Sequence, residues 1–339
     1  MEPSKLREAA EVLDQLCNTD ITGRRVITTL FQAARAMADT PLTYSAAHSL
    51  LDRIYPGDTV LITTGWVDQP LVAPGYGETD GPPGAAALAR ALRLALKAIP
   101  IIVVDECLVT GMQQVAQAAG FHCVSPDVLH HSIEQNKLLT MSVLPFPHNH
   151  DAAKLQAAEL LDRYKPKSCI AIECGGMNDA GRIHNMAGFA TDNCQAKFDY
   201  LFREARKRNI LTLAIGDGGN EIGMANIADT IRSSIPYAEK CQCPCGQGFA
   251  PSTIVDVLVT STVSNWGAYA ISALLGAASG VISALNTPER EAHVLTTAAS
   301  AGFHDAIYGS VAPSADGCTL DVHTSMVRLM QEVILRRQI

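Results

Sequence analysis

The sequence predicts an α/β fold: a mostly parallel sheet with helices on both faces, a Rossmann-like layered sandwich, preceded by an N-terminal helical layer. From residue 59 onward, short apolar runs rich in β-branched residues alternate with segments of helical periodicity, which is typical of parallel sheets covered by helices. Residues 1–54 show helical patterns only. No linker-like tract divides the 339 residues, so we expect a single domain over 1–339, with residues 1–54 packed on a 55–339 core.

The predicted elements follow from where the hydrophobic periodicity changes. In the N-terminal layer, helices are expected over 1–16, 26–38 and 45–54, the last with Thr43 as a candidate cap. Seven strands are expected over 59–64, 101–104, 121–124, 138–143, 169–172, 211–215 and 254–259. The clearest later helices are expected over 85–98, 113–119, 152–164, 195–207, 267–278, 288–301 and 322–336.

Composition and charge limit the partners of this chain. A net charge of −8 without any long Lys/Arg run argues against nucleic acid and against an anionic membrane surface. The longest uncharged run, 257–288, is interrupted by glycines and fits a strand and a buried helix better than a membrane span. The first helix lacks the apolar core of a secretory signal, so we expect a cytoplasmic protein with a small-molecule partner. A homo-oligomer is left open.

The ten cysteines are scattered, and most are expected to be reduced core thiols. Cys241, Cys243 and Cys245 form the one cluster in the sequence. Three thiols at alternate positions could bind zinc or form a disulfide, but the spacing is not that of a zinc ribbon or finger and no second CxxC pair follows. We therefore do not expect a metal site there, and the role of the three residues stays open.

One stretch, LTLAIGDGGNEIG at residues 211–223, combines a buried strand with a glycine-rich loop. Its glycines permit positive φ and would let backbone N–H groups approach a ligand. Asp217, Asn220 and Glu221 supply oxygen atoms, which suit a hard cation such as Mg²⁺ or Mn²⁺. The alternative is a tight strand-to-helix turn in which Asp and Asn only cap the helix.

Acidic residues recur where the predicted strands end. In open parallel sheets, ligands bind at the carboxyl ends of the strands, where loops from several strands meet. Buried acids gathered there would repel one another unless a metal, a proton or a cationic substrate group neutralised them. Any one of them could instead cap the next helix. The acids in question are Glu78 and Asp80, Asp105 and Glu106, Glu173, and Asp217 and Glu221.

Two further loops carry candidate functional groups. In the loop after Glu173, Arg182 could hold a carboxylate and Asp179 or His184 could act as acid or base. Alternatively, Arg182 neutralises a neighbouring acid and His184 is a loop hydrogen-bonder. At the last strand, Ser264 and Asn265 precede a helix whose N-terminus favours a carboxylate or a phosphate, although simple capping explains them equally well.

Several common enzyme signatures are missing from the sequence. It contains no GxSxG, no Walker loop, no HExxH and no GxGxxG after the first strand. Serine hydrolases, P-loop enzymes and NAD dehydrogenases are therefore disfavoured, and no organic cofactor is expected.

A set of motifs resembles the D-glutamate cyclase family, which also occurs as the C-terminal domain of larger vertebrate mitochondrial proteins. The motifs are DITGR at 20–24, TTG at 63–65, GETDGPPGAAALARAL at 77–92, IECGGMNDAGRIHNMAG at 172–188, AIGDGGNEIGM at 214–224 and VSNWGAYAI at 263–271. They run in order through nearly the whole chain. The segment CQCPCGQG departs from the family pattern, where an ordinary polar turn is expected.

The resemblance implies a lyase that cyclises D-glutamate to 5-oxo-D-proline with loss of water. From the acidic residues, we expect a divalent metal to assist this reaction. Residue types and positions then give three candidate groups: Glu78, Asp80, Asp179 and Arg182 for catalysis; Thr64, Gly65, Gly218, Gly219, Asn185 and Asn265 for substrate binding; Glu173, Asp217, Asn220, Glu221 and Asp105 for the metal. Two alternatives remain. One is a metal-dependent phosphohydrolase of a small metabolite, and the other is a non-catalytic binding module.

Overall fold

The computed structural model describes residues 1–68, 72–73, 75–134 and 138–338. Over these residues, seven strands form one parallel sheet in the order β3-β4-β2-β1-β5-β6-β7, which confirms the predicted α/β class. The strands are β1 Thr59–Thr64, β2 Ile99–Asp105, β3 His122–Cys123, β4 Thr140–Phe146, β5 Ser168–Ile172, β6 Leu211–Gly216 and β7 Val257–Thr260.

Twelve α-helices accompany the sheet in the described ranges. They are α1 Pro3–Cys17, α2 Ile27–Ala36, α3 Leu42–Arg53, α4 Pro82–Ala95, α5 Val109–Ala118, α6 Pro126–Glu134, α7 His150–Tyr164, α8 Asp199–Lys207, α9 Ala228–Ser234, α10 Ser264–Ser279, α11 Pro288–Ser300 and α12 Leu320–Gln338. Helices α6 and α9 were not among the clearest predicted ones, because elements this short show little of the helical repeat. Within the described ranges, no helix has both the length and the apolar character needed to cross a bilayer.

The central strands are buried along their whole length. Every residue of β1, β5 and β6 is buried, so both faces of the sheet must be covered, as the apolar runs in the sequence indicate. The edge strand β3 has only two residues, neither of them buried. Short edge strands offer little backbone for unwanted pairing with other chains.

Within the N-terminal layer, a buried carboxylate joins α1 to α3. Asp14 of α1 accepts hydrogen bonds from the backbone N–H of Leu42 at 2.6 Å and of Thr43 at 3.0 Å, and from the Thr43 hydroxyl at 2.6 Å. The start of α3 is therefore capped by a side chain from another helix, and Thr43 is not its cap as the sequence suggested. Helices α1 and α3 both contact α10, and one main cluster of buried apolar residues extends from Leu6 to Ile334.

The strand order places a crevice at a defined point of the sheet. Strand β1 pairs with β2 on one side and with β5 on the other, so the connections leave β1 toward opposite edges. The loops that follow β1 and β5 separate at this switch point, which is where open α/β sheets bind ligands. The residues after β1, β5 and β6 are those in which the sequence concentrates acids.

Candidate active site

Six carboxylates and one guanidinium converge at the carboxyl ends of β1, β5 and β6. They are Glu78 and Asp80 from the loop after β1, Glu173 from the end of β5, Asp217 and Glu221 from the loop after β6, Asp316 from the α11–α12 connection, and Arg24 from the α1–α2 connection. The cavity at this point has a volume of about 330 Å³, which is the small end of the range for ligand pockets. Its lining is Arg24, Trp66, Asp68, Glu78, Glu173, Asn185, Met186, Ala187, Asp217, Asn220, Ala306, Ile307 and Asp316.

Arg24 joins two of these acids. Its Nη2 donates to Asp217 Oδ2, to Asp316 Oδ2 at 2.9 Å and to the carbonyl oxygen of Thr262 at 2.9 Å. Burial lowers the pKa of Arg24, but Asp217 and Asp316 raise it by more, so the net shift of the pKa is upward. The guanidinium is thus a fixed positive charge among carboxylates.

The glycine-rich loop folds around its own carboxylate. The backbone N–H groups of Asp217, Gly218 and Gly219 donate to Glu221 at 3.0, 2.6 and 2.7 Å. The expectation that these N–H groups approach a ligand is therefore wrong, because Glu221 already occupies the concave face that they form. Gly219 has a φ of +96°, a conformation that turns its N–H inward and that glycine adopts without steric cost.

Asp80 caps a helix, which is the alternative to ligand binding that the sequence left open. It accepts from the N–H groups of Ser264 at 2.7 Å and Asn265 at 2.8 Å, at the start of α10. Asn265 in turn accepts from the N–H groups of Gly81 at 3.1 Å and Gly84 at 2.6 Å, and donates to the Thr79 carbonyl. Asn265 thus joins the N-termini of α4 and α10 through its own side chain, which leaves it little capacity to bind a substrate.

Glu173 is held in a conformation unusual for its residue type. Its φ is +51°, in the left-handed region, where a non-glycine residue costs on the order of 1 kcal/mol or more. Its Oε2 accepts from the Ser264 hydroxyl at 2.6 Å. Asp316 has a φ of +53°. Two members of the cluster thus have backbone strain, which concentrates at functional sites.

The cluster retains protons because its members are buried together. Burial, and then the neighbouring acids, raise the pKa values of Glu78, Glu173 and Asp316 well above their usual range. Burial and Asp217 raise the pKa of Asp80 to about 7 and that of Glu221 to about 8.

Asp217 differs from its neighbours in charge. Burial raises its pKa, but Arg24 and the hydrogen bonds from neighbouring residues lower it by more, so the net shift is downward. Asp217 therefore holds the negative charge of the cluster, while its neighbours keep their protons near neutral pH.

Two overlapping groups of these acids could hold a metal ion. Ligand atoms of Asp80, Asp217 and Asp316 lie within 4.8 Å of one another, as do those of Glu173, Asp217 and Glu221. All are buried oxygen donors, which suit Mg²⁺ or Mn²⁺. Arg24 already neutralises part of the first group, so the second fits an additional cation better.

Other predicted candidates have partners elsewhere. Asp105 accepts from the backbone N–H groups of Cys107 and Ala196 and contacts His148 Nε2 at 2.5 Å. Asp179 is exposed and pairs with Arg232 at 3.4 Å. Arg182 pairs with Asp192 at 3.3 Å. It therefore neutralises a neighbouring acid, which is the alternative role that the sequence allowed. The structure does not bring these three residues into the group around Asp217.

Of the remaining substrate-binding candidates, some line the cavity and others do not. Asn185 lines the cavity. The predicted metal ligand Asn220 also lines it, and its Nδ2 donates to the His184 carbonyl at 2.9 Å. The Thr64 hydroxyl is buried and has no hydrogen-bond partner among the described residues, so it remains a candidate contact. A Cβ at Gly65 would lie 2.7 Å from Leu108, and one at Gly218 would lie 2.7 Å from Met186. Gly65 also has a φ of +102°, which favours glycine at this position.

Sequence reasoning missed Arg24 and Asp316 as functional residues. Arg24 belongs to the DITGR motif, in which Asp20 accepts from the N–H groups of Arg24 at 3.1 Å and Arg25 at 2.7 Å. An acid that fixes a turn ahead of two consecutive arginines was the available signal. Asp316 follows no strand and precedes Gly317 in an irregular segment, so only the fold reveals its position.

Comparison with known proteins agrees with the resemblance in the motifs. Residues 13–331 match the family model described as D-glutamate cyclase-like, C-terminal. The human protein named "D-glutamate cyclase, mitochondrial" is 31% identical over 222 residues, which are 64% of this chain and 32% of the human protein. The chain therefore spans about a third of the length of this curated relative. Since the family match covers most of the sequence, the chain belongs to the D-glutamate cyclase-like C-terminal family.

Proposed function

We propose that this chain is a lyase that cyclises D-glutamate to 5-oxo-D-proline with loss of water. The observation that carries the proposal is the convergence of buried carboxylates around Arg24 and Asp217 in a small cavity at the switch point of the sheet. Family membership and the name of the human relative support the choice of reaction.

The reaction requires proton transfer rather than redox chemistry. The α-nitrogen attacks the γ-carboxyl carbon, so that a C–N bond forms and a C–O bond breaks. The ammonium group loses two protons, and these leave with the departing oxygen as water. Groups that exchange protons near neutral pH suit this task. Burial raises the pKa of Asp80 to about 7 and that of Glu78 well above its usual range.

Glu78 is the better of the two predicted bases. It is buried and lines the cavity, whereas Asp80 accepts three backbone hydrogen bonds, from Gly81, Ser264 and Asn265. In the proposal, the positive charge of the substrate ammonium favours the ionised form of Glu78, which then accepts a proton from this group, and Asp80 orients the start of α10. Arg24 lines the cavity and Arg182 does not, so we assign the binding of the substrate α-carboxylate to Arg24 instead.

Glu173, Asp217 and Glu221 would hold a divalent cation, with Asn220 beside them. Such an ion would supply positive charge to polarise the γ-carboxylate. It would also offset the repulsion between the two substrate carboxylates and the acids of the cavity. Asp105 is left out of this set because His148 and backbone N–H groups already bind it.

The test is a chiral assay of the purified chain. Incubated with D-glutamate and Mg²⁺ or Mn²⁺, the chain should yield 5-oxo-D-proline, and a chelator should reduce the rate. Glu78→Gln should lower kcat/KM by 100-fold or more, since general base catalysis contributes roughly 10²–10⁴-fold. Glu106→Gln, at an exposed acid after β2, is the matched control and should retain activity. Absence of product with either enantiomer, or equal rates for Glu78→Gln and Glu106→Gln, would contradict the proposal.

One observation favours a second candidate, a metal-dependent phosphohydrolase. The two oxygen-ligand groups share Asp217, as in sites where two metal ions flank a transferred phosphoryl group. Hydrolysis of a generic phosphate ester, compared with turnover of D-glutamate under the same conditions, distinguishes the two functions.

The partners, the oligomeric state and the cellular location of the chain are proposed from its sequence. We propose D-glutamate as the small-molecule partner, and we propose no nucleic acid or membrane partner. A homo-oligomer is a further proposal, which light scattering would test. All ten cysteines are free, as in reducing compartments. A cytoplasmic location stays a proposal from the sequence.

A further inference from the structure

A second cluster of metal-ligating side chains lies outside the carboxylate site and contains only soft and borderline donors. His184, Cys241, Cys243 and Cys245 each place one ligand atom within 4.8 Å of the others. The sulfur–sulfur distances are 3.5 Å for Cys241–Cys243, 3.3 Å for Cys241–Cys245 and 3.2 Å for Cys243–Cys245. His184 Nε2 lies 3.2 Å from Cys243 Sγ and 3.7 Å from Cys245 Sγ.

These distances resemble the edges of a metal-centred tetrahedron. With Zn–S bonds of about 2.3 Å and Zn–N bonds of about 2.0 Å, tetrahedral geometry puts sulfurs roughly 3.8 Å apart and nitrogen roughly 3.5 Å from sulfur. The observed separations are slightly shorter on average, as expected for side chains that face one point without an ion between them. A disulfide would require about 2.05 Å between sulfurs, so the three thiols are separate groups.

The four side chains come from two loops that the fold brings together. His184 belongs to the loop after β5, and Cys243 lies 59 positions later, in the segment that follows α9. His184 and Cys241 are buried, and Cys243 and Cys245 are partly buried. The N–H of Cys245 donates to Cys243 Sγ at 3.4 Å, and Asn178 Nδ2 lies 3.6 Å from Cys245 Sγ. N–H groups directed at sulfur stabilise thiolate ligands of metals.

We propose that His184, Cys241, Cys243 and Cys245 bind one zinc ion. Three sulfurs and one imidazole nitrogen are a donor set that zinc prefers and that Mg²⁺ does not. Four protein ligands complete the tetrahedron, so the ion is structural and has no open position for a substrate. Binding replaces the three thiol protons by the metal and releases them to solvent.

The ion would fix one wall of the cavity. Gln242, between two of the ligands, donates from its N–H to the Gly188 carbonyl at 2.9 Å and from Nε2 to the Ala187 carbonyl at 2.7 Å. Asn185, Met186 and Ala187 line the cavity. Zinc bound to His184 would therefore hold the start of this lining segment to the 241–245 loop. The inference concerns the fold of the loop and is independent of the proposed reaction.

The test measures the metal content and the ligand atoms of the whole 339-residue chain. Protein purified under reducing conditions and incubated with zinc should retain one zinc per chain after gel filtration, measured by mass spectrometry of the metal. X-ray absorption at the zinc edge should give a shell of three sulfurs and one nitrogen. This second measurement separates the cysteine cluster from the carboxylate site, which would give oxygen ligands only.

Variants check the assignment of the ligands. Cys243→Ser and His184→Gln should lose the sulfur-bound zinc, and hydrogen exchange over 184–190 should become faster. Cys123→Ser, at a partly buried cysteine of β3 outside the cluster, should keep the ion. Wild-type protein that holds no zinc after incubation, or a shell without sulfur, overturns the proposal whether or not the variants fold. Loss of zinc in Cys123→Ser to the same extent as in Cys243→Ser overturns the ligand assignment.

Discussion

The guanidinium of Arg24 donates to Asp217, a residue 193 positions later in the chain. The same nitrogen reaches Asp316 at 2.9 Å, across 292 positions. One side chain from the N-terminal layer thus neutralises part of an acidic cluster that the parallel sheet assembles. The stability of the cluster and its proton content should both depend on this contact.

Replacement of Arg24 by methionine should destabilise the protein. The change leaves Asp217 and Asp316 buried without their cation, and breaking a buried ion pair costs roughly 3 kcal/mol or more of unfolding free energy. The loss should be smaller at pH 5 than at pH 8, because protonated carboxyls need no counter-charge. Urea unfolding at both pH values measures it. Arg25→Met, at an exposed neighbour, is the control; a loss of equal size there would show that the Arg24 contact is not responsible.

The variant Glu173→Gln tests the raised pKa of Glu173. A folded-state pKa above the unfolded value means that the native protein binds more protons, so stability falls as pH rises above the usual pKa of glutamate. The amide removes this contribution, and without divalent ions the variant should gain stability relative to wild type as pH increases. Thermal unfolding from pH 5 to pH 9 measures the difference.

Divalent ions should change the stability difference between wild type and Glu173→Gln. Mn²⁺ bound by Glu173, Asp217 and Glu221 would favour the ionised carboxylates, so added Mn²⁺ should raise the Tm of wild type more than that of Glu173→Gln. A pH-independent difference between the two proteins, unaffected by Mn²⁺, would show that Glu173 neither holds a proton nor contributes to an ion site.

The variant Gly84→Ala should disturb the active site through helix packing. A Cβ at Gly84 would lie 2.8 Å from Cα and from Oδ1 of Asn265. Overpacking of this kind costs about 1–3 kcal/mol, which exceeds the gain of about 1 kcal/mol that alanine gives in a helix. The clash also displaces Asn265, whose N–H donates to Asp80, so activity should fall together with stability.

The control for Gly84→Ala lies at the other end of α10. Gly280→Ala meets no atom within 4 Å but has a φ of +72°, so it should cost about 1 kcal/mol through backbone strain alone. Its activity should stay near that of wild type. Steady-state kinetics and urea unfolding of both variants give the comparison, and full activity in Gly84→Ala would contradict the role of this contact.

His323 should make the protein sensitive to acid. Its Nδ1 lies 2.9 Å from Trp266 Nε1, which can only donate, and its Nε2 lies 3.2 Å from the Ala315 carbonyl; the ring is therefore neutral with its proton on Nε2. Burial lowers the pKa of His323 from 6.5 to about 4. Between these values the unfolded chain binds the extra proton, so stability rises with pH across this window by roughly 3 kcal/mol.

Comparison with His323→Gln isolates this effect. Buried Glu291, whose pKa burial raises to about 7, contributes the opposite slope in both proteins. This slope cancels except for the effect of its contact with His323, whose Nδ1 lies 4.0 Å from Glu291 Oε1. The stability of wild type relative to His323→Gln should therefore increase from pH 4 to pH 6.5 and then level off. A constant difference over this range would indicate that His323 is not held neutral.

Local patterns were sufficient to predict the sheet and the acids at its edge. β1 has the bounds that its apolar run predicts, and β7 begins at Val257, three residues after the predicted Ile254. Strand ends followed by Glu78, Glu173 and Asp217 could be identified because burial in a parallel sheet requires continuous apolar runs, which break where the polar loops begin.

The sequence by itself determined the class of fold, the family motifs and the side of the sheet on which the acids gather. Only the tertiary structure decided that Arg24 and Asp316 join them, that Glu221 fills its own glycine loop, and that His184 faces Cys243. The physical reason is that periodicity and capping depend on neighbours within a few residues. A contact between loops depends on packing of the whole chain, and it leaves no local pattern at either end.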